Sequence, residues 1–131
     1  MTELHLDPGG PRSGDDTRAM AAGLAECVRV LNHHTMDAAA LPYPSTVYDV
    51  LGSLRAAAAG LDQLLRQLDA RLVAQEATGC LAATRGDAHN AMTRARHGIV
   101  AARGAAAQLT DHLDYAFQAA SALYLREDGG Q

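Results

Sequence analysis

The sequence predicts an all-α protein, an antiparallel up-down-up three-helix bundle with two long coiled-coil-like helices and one shorter N-terminal helix. Three features point there. Apolar residues recur at alternating steps of three and four, no proline interrupts residues 45–131, and the segment ends carry helix-capping residues. Composition agrees: 28 of 131 residues are Ala and 17 are Leu, against 6 Val, one Ile, one Phe and no Trp. A core built from such small side chains cannot be wide. Eleven Arg, no Lys and a net charge of −4 argue against a strongly basic nucleic-acid binder. Two cysteines, Cys27 and Cys80, are too few for a disulfide scaffold and suit a reducing compartment.

Residues 1–14 read as a flexible polar tail, with Glu3, Asp7, Pro8 and Pro11. They lack the basic and apolar regions of a secretory signal, so the expected location is cytoplasmic. A single helical-bundle domain is expected over 15–126. Its first helix, about 15–40, has the stripe Met20, Leu24, Cys27, Leu31, His34, Ala38 and Leu41. Ser13, Asp15 and Asp16 stand at its start as cap and negative charge. Leu41-Pro42-Tyr43-Pro44-Ser45 ends it, and Ser45 is the expected N-cap of the second helix, about 46–78. There the stripe is Val47, Leu51, Leu54, Ala58, Leu61, Leu65, Leu68 and Leu72, with a polar flank of Arg55, Asp62 and Asp69. Gly79 suits a left-handed stop, and Asp87 a cap for the third helix, about 87–126. That helix carries Ala88, Met92, Ala95, Ile99, Ala102, Ala106, Leu109, Leu113, Ala116, Ala120 and Leu123. Residues 127–131 form a C-terminal tail. Short connections between long helices make neighbours antiparallel.

No constellation in the sequence carries catalysis, so the expected class is a non-enzymatic protein–protein interaction or assembly module. The third helix has a flank of small residues, including Gly98 and Ala105, where another backbone could approach closely. Because the first helix is shorter, the far end of the long pair, with Phe117, Leu123, Tyr124 and Leu125, is expected to be uncovered and to mark an interface. His89, Arg96 and Arg103 recur every seven residues as a basic stripe, expected to orient a partner. A homo-oligomer or a protein partner is expected, with no membrane span, small-molecule substrate or cofactor, and nucleic acid is disfavoured. No metal site is expected: none of the four Glu is followed by His three residues later, and no His-x-x-x-His occurs.

Two short motifs resemble known families. Arg29-Val30-Leu31-Asn32-His33-His34 is similar to the Arg-x(4–6)-His motif of HEPN ribonucleases, helical bundles of about this size. The resemblance covers six residues, implies metal-independent RNA cleavage by Arg29 and His34, and departs from the family in Val30 and in its early position. Tyr124-Leu125-Arg126-Glu127-Asp128 resembles the Tyr-x-x-x-Asp export signal of type VII secretion substrates, which implies a leaderless secreted helical protein. The companion Trp-x-Gly turn is absent, since the chain has no Trp.

Overall fold

The computed structural model describes residues 12–127. Among them are three α-helices, α1 (Gly14–His34), α2 (Pro44–Ala77) and α3 (Ala88–Ala120), and a single 3₁₀ turn at Ala38–Ala40. No strand occurs among these residues. The chain divides into two compact units between Pro42 and Tyr43. Most of the tail expected over 1–14, and Asp128 to Gln131, lie outside the described residues.

In the first unit, Ser13 caps α1: its hydroxyl accepts from the Asp16 N–H at 3.1 Å. Asp15 and Asp16 lie in the first turn, where negative charge suits the helix dipole. The helix stops at His34, six residues earlier than its apolar stripe predicts. Thr35 turns its hydroxyl onto the Leu31 carbonyl at 2.7 Å, and Asp37 accepts from Ala39 N–H at 2.9 Å to start the 3₁₀ turn. These local side-chain bonds compete with helix continuation. No residue of α1 is buried, so Cys27, expected on an apolar seam, is an exposed free thiol.

In the second unit α2 and α3 pack closely side by side and antiparallel, as a helical bundle requires. Pro44 occupies the first turn of α2, with Tyr43 at the N-cap and no side-chain cap bond. Proline lacks the N–H that a cap would satisfy and presets φ, so the helix starts at Pro44 and not after Ser45. Gly79 adopts φ 76° after α2, and Gly86 φ 70° before Asp87, which caps α3 through the His89 N–H at 3.2 Å.

The third helix closes at Ala120, short of the expected 126. Ala120 is its last buried residue, and Ser121 donates its hydroxyl to the Gln118 carbonyl at 2.6 Å. Tyr48 of α2 lies against Phe117 of α3, so α2 runs out at Pro44 just where α3 ends. A longer α3 would run past the end of α2, and Leu123, Tyr124 and Leu125 leave the helix as exposed chain.

Candidate association surface

The two helices of the hairpin meet along a line rotated from the one that apolar spacing alone suggests. On α2 the buried and half-buried residues include Leu51, Ala58, Leu65 and Leu72, flanked by Tyr48, Arg55, Asp62, Asp69 and Glu76. On α3 they include Met92, Ile99, Ala106, Leu113 and Ala120, flanked by Arg103, Thr110 and Phe117. Half of each apolar stripe is thus in the seam. The other half is displaced to one side of it.

The flank formed by heptad-spaced Tyr48 to Glu76 is a ladder of polar and aromatic pairs. Glu76 meets His89 at 3.6 Å. Arg96 is bidentate on Asp69 at 2.8 and 3.1 Å. Arg103 donates to Asp62 at 2.9 Å, and Arg66 joins the same carboxylate at 2.9 Å. Arg55 donates to Asp114 at 2.7 Å and lies 4.5 Å above the Phe117 ring, which stacks on Tyr48 with centroids 4.1 Å apart. The Arg103 hydrogen bond, then that of Arg66, holds Asp62 below the usual carboxylate range. Arg96 does the same for Asp69, whose carboxylate raises Arg96 in turn.

His89, Arg96 and Arg103 do share one flank at heptad spacing, and the structure directs all three onto acids of α2. Phe117, read as an uncovered apolar end, is half-buried between Tyr48 and Arg55 and fills the notch at Gly52. Tyr124 lies beyond α3 and is 77% exposed. Gly98 and Ala105 are exposed on α3, and nothing lies within 4 Å of where a Gly98 Cβ would be.

Opposite the ladder, the displaced halves of the two stripes form one continuous apolar flank. Val47, Leu54 and Leu68 of α2 and Leu109 of α3 keep 39%, 40%, 46% and 47% exposure. Ala95, Ala102 and Ala116 continue it along α3. Gly98 and Ala105 stand one step further round the same side. Sequence spacing contained this flank; what it did not separate was the half of each stripe that α2 and α3 use on each other.

Other features are sparse. An open apolar recess of about 400 Å³ lies at the loop end, lined by Leu72, Leu81, Arg85, Ala88 and Met92 among others. Arg29 is bonded to Glu26 on its own helix, at 2.8 Å through Nε, and its carboxylate partner raises it. Cys80 is an exposed free thiol whose N–H donates to Thr78 Oγ1 at 3.2 Å. Among the described residues no group of three or more His, Cys, Asp or Glu is disposed to hold a metal ion, and no helix is long and apolar enough to cross a membrane. Compared with protein-family models, curated proteins and solved structures, the chain matches none.

Proposed function

We propose that the protein is a non-enzymatic helical interaction and assembly module that docks a helical partner on the apolar flank of the α2/α3 hairpin. One observation carries this reading. Val47, Leu54 and Leu68 of α2 and Leu109 of α3, all on the side of their helices away from the ladder, are each about two-fifths exposed or more, while the opposite flank satisfies its own charges. A contiguous apolar strip rimmed by polar residues marks an association site in a chain that must stay dispersed. Its Ala and Gly neighbours on α3 let a partner backbone come close, so packing would supply the affinity.

The test is solution mass by light scattering for the wild type and for Leu54→Asp combined with Leu109→Asp. The expected result is an associated wild type and a monomeric variant with unchanged far-UV helicity. An associated state that survives both aspartates would overturn the use of this flank.

A further inference from the structure

The connection between α2 and α3 does more than reverse the chain. Two glycines in the left-handed region bound it, Gly79 at φ 76° and Gly86 at φ 70°. Between them Leu81 and Ala83 are half-buried, so this segment lies against the helix ends and does not stand off them. It forms one side of the open recess of about 400 Å³, whose other walls include Leu72 of α2 and Met92 of α3. Met92, 5% exposed, is the most deeply buried part of that wall. The recess stays unfilled because Ala88, Ala91 and Ala95 of α3 present only methyl groups to it. A volume of this size falls within the range of small-molecule pockets. Apart from Thr84 and Arg85 its lining is wholly apolar, which suits a hydrocarbon body and not a sugar or a nucleotide.

Charge at the recess has one sign. Arg85 is the only charged residue in the lining, it is exposed, and among the described residues it has no ion pair or side-chain hydrogen bond. The two acids nearest to it along the chain are engaged elsewhere. Asp87 caps α3 through the His89 N–H at 3.2 Å, and Glu76 faces His89 at 3.6 Å. A guanidinium without a partner presents a planar fork of donors that matches a carboxylate. A dianionic phosphate would call for a second cation, and the residue two positions on is Asp87.

We propose that the loop-end recess binds an apolar monocarboxylate, its hydrocarbon chain against Leu72, Leu81 and Met92 and its carboxylate on Arg85. Neither Leu54 nor Leu109 lines the recess, so this site is separate from the helix-docking flank.

The test is an amide chemical-shift titration of the full-length protein with sodium butanoate, sodium octanoate and 1-octanol. Each methylene withdrawn from water strengthens binding about fourfold, so octanoate should bind at least about tenfold more tightly than butanoate. Its shifts should centre on residues 81–95. Arg85→Gln should weaken octanoate about threefold or more, as for a partly exposed ion pair, and leave octanol unchanged. Ala91→Leu places a larger side chain in the recess on a residue type that favours helix; it should weaken both ligands with far-UV helicity intact. Leu54→Asp/Leu109→Asp should bind octanoate as the wild type does. No binding of octanoate at millimolar concentration, affinity independent of chain length, or an Arg85→Gln variant with unchanged octanoate affinity would overturn the site. Loss of octanoate binding in Leu54→Asp/Leu109→Asp would overturn it too, by assigning the ligand to the flank.

Discussion

Gly52 is the residue on which the hairpin's aromatic contact turns. A methyl group there would come within 2.8 Å of Phe117 Cε1, and the ring has little room to yield, held by Tyr48 on one face and approached by Arg55. Replacing a helical glycine with alanine ordinarily gains about 1 kcal/mol, whereas crowding a packed contact costs about 1–3 kcal/mol. Gly52→Ala should therefore lower the thermal midpoint. Gly104→Ala, in the same hairpin with nothing within 4 Å of its Cβ position, should raise it by the full helix-propensity gain. Melting both variants by circular dichroism checks the pair; equal shifts of one sign would contradict the notch. Sequence reading reached the caps at Ser13 and Asp87 and the stop at Gly79, because each depends on a few neighbouring residues. It missed the role of Phe117 because a glycine is silent in an apolar stripe, and the notch exists only once the second helix is laid beside it.

At the scale of the helix, all three elements were legible, and their ends were not. Periodicity reports where a helix would be amphipathic; it does not report where its partner runs out, which is what ends α3 at Ala120. Nor does it say which half of a wide stripe faces which neighbour. The polar flank at Arg55, Asp62 and Asp69 and the basic stripe at His89, Arg96 and Arg103 were both visible, but their matching spacing on opposite helices joins them only when the chain turns back on itself. Folding lowers the pKa of Asp62 and Asp69, so the native state binds their protons less tightly than the unfolded chain. Their stabilising contribution is thus complete above the ordinary aspartate range and is lost as pH falls through the lowered native values. Urea midpoints at neutral and strongly acidic pH should differ less in Asp62→Asn/Asp69→Asn than in the wild type, where acid protonates both aspartates and removes their pairing with Arg103 and Arg96. An unchanged acid sensitivity in the double variant would show that the ladder adds no stability.

For the whole chain, stability should be unevenly spread. The α1 helix buries none of its residues, whereas the α2/α3 hairpin buries Ala58, Met92, Ala106 and Ala120. Local opening is easiest where few apolar groups are withdrawn from water. Amide hydrogens of residues 18–34 should then exchange with solvent at least about tenfold faster than those of residues 99–113. Equal protection in native-state exchange would contradict this. The reversal of sign within the ladder, Arg55 on α2 where Asp62 and Asp69 stand nearer the loop, has a kinetic consequence. If the hairpin first zips one heptad out of step in one direction, Arg103 arrives opposite Arg55 and the two cations repel. A slip in the other direction keeps opposite charges together but brings Phe117 opposite Arg55 and away from Gly52. Neither misaligned state is a comfortable resting place, so a collapsed chain is driven to reopen and try again until the rings and charges agree.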